Sequence, residues 1–192
     1  MEKTMKYNNC DSFVIKTTES KCDIKPINSN IAFNPISVSI LPPNVNWFDM
    51  EDFTSKKYGP FEFNFINANN NIIAGVSFYI SYNSHGIFNS TGHYLADATV
   101  SPMAIFCNPG YYITCNVTAS DPINYGTKTN PIAGVNLKIQ MEVISYNKLI
   151  LEENYHSLTN LISSDNLNAV EKYLIVNIRG DGVASVISGY SY

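Results

Sequence analysis

From Ile36 onward the apolar residues of this chain fall on every second position, and that period narrows its fold more than any other feature. Ile36, Val38 and Ile40 point one way while Ser37 and Ser39 point the other, until Pro42-Pro43 ends the run. Such alternation sets one face of a strand against a core and the other in water. The pattern returns in Phe61-Glu62-Phe63-Asn64-Phe65 and in Ser77-Phe78-Tyr79-Ile80-Ser81-Tyr82, with the Asn-rich segment 67–71 between them as a hairpin loop. Asn83 to Gly92 reads as turn chemistry. Further strands are expected over 100–107, 111–119 and 135–146, with a long polar loop at 120–131. Near the end, 173–179 and 183–188 flank Gly180-Asp181-Gly182, and Asp-Gly supplies the positive φ angles of a tight turn.

Short strands at these intervals predict an all-β fold, an antiparallel β-sandwich of jelly-roll-like kind. At most one or two short helices are expected, the clearest near 164–171, where Ser164-Asp165 resembles a cap before Leu167, Val170 and Glu171. Residues 1–30 read as a polar N-terminal arm with one strand near 12–17, and residues 31–192 as a single β-sandwich domain. A chain of 192 residues buries enough apolar surface to fold without a metal or disulfide. One internal echo stands out. Ile73-Ala74-Gly75-Val76 is repeated as Ile132-Ala133-Gly134-Val135, which fits two related halves and equally fits shared β composition.

Charged residues make up 15% of the chain, against about 25% in ordinary domains, and uncharged polar residues replace them, including 25 asparagines. The formal charge is −4, and the closest basic pair is Lys56-Lys57. Nucleic-acid binding needs a basic stripe that displaces counterions, so no nucleic-acid partner is expected. No apolar run approaches the roughly 20 residues of a membrane helix, so no membrane span is expected. The first nine residues lack the apolar core of a conventional signal peptide. Cytoplasmic synthesis with unconventional release or surface assembly fits this, and the compartment stays unassigned.

Four cysteines and three histidines are the main carriers of reactive chemistry. Cys107 and Cys115 flank Asn108-Pro109-Gly110-Tyr111, which suits a type II turn. In a hairpin built on that turn, Cys107 faces Tyr112 and Cys115 faces Ala104, so the sulfurs stay apart as buried free thiols. Cys10 and Cys22 lie in the arm, where an exposed thiol can join a neighbouring subunit without distorting the core. No Cys/His pairing has zinc spacing, and no cofactor fingerprint occurs, so neither a metal nor a cofactor is expected. His85 and His93 converge at a loop end only if the fold brings them there, and two ligands make no metal site. Asp49, Glu51 and Asp52 cluster, as do Glu152 and Glu153, but neighbours in sequence read as solvated loops rather than facing catalytic carboxylates. Arg179-Gly180-Asp181 is explained as turn chemistry, and Asn89-Ser90-Thr91 and Asn116-Val117-Thr118 as matches expected of an Asn-rich chain.

Two kinds of function fit these residues, neither catalytic. The first is a structural protein that self-associates into an oligomer, fibre or ordered particle. Low charge weakens repulsion between copies, tyrosines supply contact area, and the arm can add a strand to a neighbour's edge. The second is a lectin-like, carbohydrate-binding module, with the recognition part of a toxin as one form of it. Its ligand-facing loops would carry Trp47, Asp49, Asn83, His85, His93, Asp121 and Tyr125, which combine aromatic faces with hydroxyl-binding groups.

Overall fold

The computed structural model describes residues 14–19, 30–145 and 170–191. In them eleven strands form two sheets packed face to face. The strands are β1 (Val14–Glu19), β2 (Ile31–Asn34), β3 (Ile36–Leu41), β4 (Thr54–Ile66), β5 (Ile72–Phe88), β6 (Thr91–Cys107), β7 (Tyr111–Ala119), β8 (Ile123–Asn124), β9 (Ala133–Ser145), β10 (Val170–Arg179) and β11 (Ala184–Ser191). Sheet A runs β1-β3-β6-β5-β4 and sheet B runs β11-β10-β9-β7-β2, with β8 pairing β9. A 3-10 turn at Trp47–Asp49 is the one helical element among the described residues.

The alternation that the sequence predicts is what joins the layers. Along β9, Val135, Leu137, Ile139, Met141 and Val143 turn inward and are buried, while Asn136, Lys138, Gln140 and Glu142 turn outward. Val38 and Ile40 of β3, Phe78 and Ile80 of β5 and Ala98 and Val100 of β6 meet them from sheet A. The central aromatic contact sets Phe61 and Phe63 of β4 on Phe78, with ring centroids 5.6 Å and 6.0 Å apart. The echoing segments fall on β5 and β9, one in each sheet, and Ala74 and Ala133 are both buried.

Four details depart from the sequence reading. Residues 83–88 continue β5 and residues 91–99 belong to β6, so only Asn89-Ser90 turns, with φ 51° and 59° at those two residues. Second, β7 does not return along β6. The 108–111 turn forms, with Tyr111 N–H on Asn108 C=O at 3.2 Å, but it carries the chain from sheet A to sheet B. Cys107 therefore faces Ala74 and Cys115 faces Met141, not Tyr112 and Ala104. Third, β2 pairs β7 in parallel, Ile31 against Ile113, so sheet B is not wholly antiparallel. Fourth, Val170 and Glu171 open β10 instead of closing a helix. The remainder of that helix, 164–169, lies outside the described residues, as do Cys10 and Cys22. The arm's expected strand is β1, built into sheet A against β3, Ile15 opposite Ile40.

Candidate functional site

The turn between β10 and β11 is where the two sheets are tied together. Arg179 folds onto Asp181 within the turn, Nε to Oδ1 at 3.1 Å and an Nη to Oδ2 at 2.5 Å. Two parallel charge-assisted bonds of this kind lock the guanidinium in one plane. That plane lies on the Tyr125 ring, 4.5 Å from its centroid. The Tyr125 hydroxyl accepts from Asn177 Nδ2 at 2.9 Å, so the ring is held from both ends. Between the charged residues, Gly180 N–H donates to Ala133 C=O at 2.7 Å, and Gly180 C=O accepts from His85 N–H at 2.6 Å. Arginine and aspartate of the tripeptide are thus committed to each other, which confirms turn chemistry as their structural role.

On the sheet A side, Tyr82 and Lys56 both reach the Gly182 carbonyl, the hydroxyl at 3.2 Å and the ammonium at 3.3 Å. Burial pushes the Tyr82 hydroxyl pKa above its ordinary value, and the nearby Asp181 carboxylate and Tyr58 add to the rise. It stays a protonated donor to Gly182. His85 and His93 converge beside the turn with ring centroids 5.8 Å apart, edge to face. His85 adopts a left-handed φ of 65°, and its Nδ1 sits 2.9 Å from Ser84 Oγ. His93 Nδ1 is buried and meets no hydrogen-bonding partner among the described residues.

Three of the seven loop residues singled out from sequence, His85, His93 and Tyr125, therefore gather at one seam. Trp47 and Asp49 build a different feature. The Trp47 and Phe48 rings lie 3.9 Å apart on the surface, and Asp49 Oδ2 accepts from Asn46 N–H at 3.0 Å to cap the turn. Asp121 is exposed, and its carbonyl accepts from Ser120 Oγ at 2.8 Å. Asn83 lies on the outer face of sheet A, where Ser55, Lys57, Ser81, Asn83 and Asp97 line an open groove of about 410 Å³. Arg179, Asp181, Lys56 and Tyr82 were not among the residues that sequence put forward as a site. The tight-turn signal at 179–182 located the first two, but nothing in the sequence says that the turn docks on β5.

Chemically, the seam is a clasp. Among the described residues no group of three or more His, Cys, Asp or Glu side chains assembles in a metal-binding arrangement, and among them no helix is long and apolar enough to cross a membrane. Comparison with protein-family models, curated proteins and solved structures finds no match to this chain.

Cys107 and Cys115 are free thiols. Burial pushes Cys115 up to about 12, whereas Cys107, half-buried, is raised less. Since the thiolate is the nucleophile, Cys115 is expected to resist iodoacetamide at pH 8.5 in the folded protein and to react at an ordinary rate once unfolded. Mass spectrometry after brief labelling checks this, and rapid native labelling of Cys115 would contradict the burial. The same shift makes folding sensitive to alkali. The folded pKa lies above the unfolded one, so the Cys115 contribution is complete below about pH 9 and is lost as pH rises toward 12.

Proposed function

We propose that the protein is a non-catalytic structural β-sandwich whose copies associate through β11, the outer strand of sheet B. The observation that carries this reading is the contrast between β11 and the other sheet edges. An edge strand offers unpaired N–H and C=O groups to any passing strand, and monomeric proteins blunt it with charge, proline or shortness. Here β4 carries Lys56, Lys57, Pro60 and Glu62; β1 carries Lys16 and Glu19; β2 has only 4 residues. By contrast β11, Ala184 to Ser191, contains no charge and no proline. Val186 and Ile187, and Val183 just before them, remain 45%, 55% and 46% exposed.

Two such edges meeting antiparallel about a two-fold axis form a self-complementary contact, which is the commonest closed symmetry. A net charge of −4 on 192 residues opposes it weakly. β11 does carry one blunting feature, a bulge at Ile187 where it steps from Ser188 opposite Ile175 to Val186 opposite Val176. The bulge twists the edge locally and leaves a short segment on either side. Among the described residues neither segment is paired on its outer side. Arg179 and Asp181 are spent on each other and Lys56 and Tyr82 on the Gly182 carbonyl, which supports the non-catalytic part of the reading.

Absolute mass by light scattering on a sizing column, with and without reductant, tests the proposal. A dimer or larger species that survives reduction is expected. A 21.4 kDa monomer under both conditions overturns self-association. A multimer that falls to monomer on reduction overturns β11 as the main contact and assigns assembly to thiols.

A further inference from the structure

The open groove on sheet A is built around an irregularity in β6. Between Ser81↔Thr99 and Asn83↔Ala96, two residues of β5 face three of β6; between Val38↔Ala98 and Ile40↔Leu95, two of β3 also face three of β6. One extra residue of β6 is thus opposed by neither neighbour. Burial of Tyr94, Leu95 and Ala96 in succession marks the shift, and Asp97 after them is exposed with a left-handed φ of 52°. A bulge that re-aims one side chain often marks a functional position.

Three hydroxyls hold this conformation. Ser39 Oγ accepts from Asp97 N–H at 3.0 Å, Thr99 Oγ1 donates to Asp97 C=O at 3.3 Å, and Ser37 Oγ makes a long contact of 3.5 Å with Asp97 Oδ1. Oδ2 keeps no partner among the described residues. Across β5, Asn83 Oδ1 accepts from Ser55 Oγ at 2.6 Å, which leaves its Nδ2 to donate elsewhere. Ser81 Oγ lies 3.5 Å from Ser101 Oγ, and Lys57 Nζ rests 4.6 Å over the Tyr79 ring at the rim. Lys57 and Asp97 line the same groove without forming an ion pair. Acceptors and donors therefore alternate across three strands, a width of about 10 Å from two strand spacings.

We propose that this groove binds a hexopyranose, with Asp97 accepting from one of two vicinal hydroxyls and Asn83 donating to the other. A sugar hydroxyl both donates and accepts, which suits a carboxylate beside an amide. Lys56 also lines the groove, but its ammonium is engaged with the Gly182 carbonyl. An anion would therefore meet the Asp97 charge and a cation the Lys57 charge, while an apolar ligand would strip water from both without replacing its bonds. A volume of about 410 Å³ matches small-ligand sites, which run from about 300 to 1,000 Å³. The site lies on sheet A and does not depend on pairing through β11 of sheet B.

Saturation-transfer NMR with the methyl glycosides of mannose, galactose and glucose tests it. Transfer to the ring protons of at least one glycoside is expected for the natural protein, with binding at least tenfold weaker in Asp97→Asn and in Asn83→Ala. Asp97→Gly guards against a folding artefact, since glycine adopts a positive φ without strain and also lacks the carboxylate. It should keep the melting temperature and lose the transfer. No transfer to any of the three glycosides at millimolar concentration, or full transfer in Asp97→Gly, overturns the proposal.

Discussion

Val186→Lys is expected to yield a folded protein that runs at 21.4 kDa where the natural chain runs larger. Val186 is already 45% exposed, so a lysine there costs the monomer little and its melting temperature should hold. At the contact the effect is large because a two-fold axis counts it twice. Burying the exposed half of a valine is worth about 1 kcal/mol, so two copies lose about 2 kcal/mol. Two ammoniums brought face to face add to this, and the association constant should fall at least ~30-fold. Lysine is also what the protected edge β4 already carries twice, at Lys56 and Lys57. Light scattering across a dilution series reads the result. An unchanged mass in Val186→Lys would mean that copies meet elsewhere.

The sequence marks 183–188 as a strand, and why it hides the edge position of that strand is a matter of what a strand pattern encodes. Period two tells which side of a strand is buried, and it placed β3, β7 and β9 close to their observed limits. It does not tell which strand lies alongside. Cys107 and Cys115 make the point: the Pro109-Gly110 turn was readable, and Gly110 does take a φ of 90°, yet the strands it joins enter different sheets. The parallel pairing of β2 with β7 and the edge position of β11 are of the same kind, because they arise only when the sheets close over a shared core.

Local composition misled in one place. Asn83, Ser84 and Gly86 look like a loop, yet they lie within β5, which like β6 is 17 residues long. The small and amide residues serve bulges and close packing inside the strands. A Cβ on Gly86 would meet the Phe53 ring at 2.3 Å, and His85 takes its positive φ within β5. Asp97 was hidden for the opposite reason. Tyr94, Ala96, Ala98 and Val100 keep a period of two, so Asp97 looks like any outward residue, and the extra residue shows in the register and in the burial of Leu95 beside Ala96. The meeting of His85 with His93 was conceivable from sequence, and β5–β6 pairing realises it.

Gly180→Ala is expected to lower the stability of the whole sandwich, because the clasp at 179–182 has no room for a methyl group. A Cβ there would stand 2.1 Å from His93 O and 2.6 Å from His93 C, both backbone atoms of β6. Neither can swing aside as a side chain does, and the turn cannot retreat without stretching its 2.6 Å and 2.7 Å bonds to His85 and Ala133. Overpacking commonly costs about 1–3 kcal/mol and more when backbone must move, so a loss near 3 kcal/mol is expected. In a domain of this size that lowers the melting temperature by about 6–12 °C. Gly110→Ala supplies the comparison: its Cβ would meet nothing within 4 Å, and only its φ of 90° is strained. That variant should lose about 1 kcal/mol. Calorimetry that finds the two variants equally stable would mean that the turn is not clamped between the sheets, and that Arg179, Asp181 and the two histidines do not hold them together.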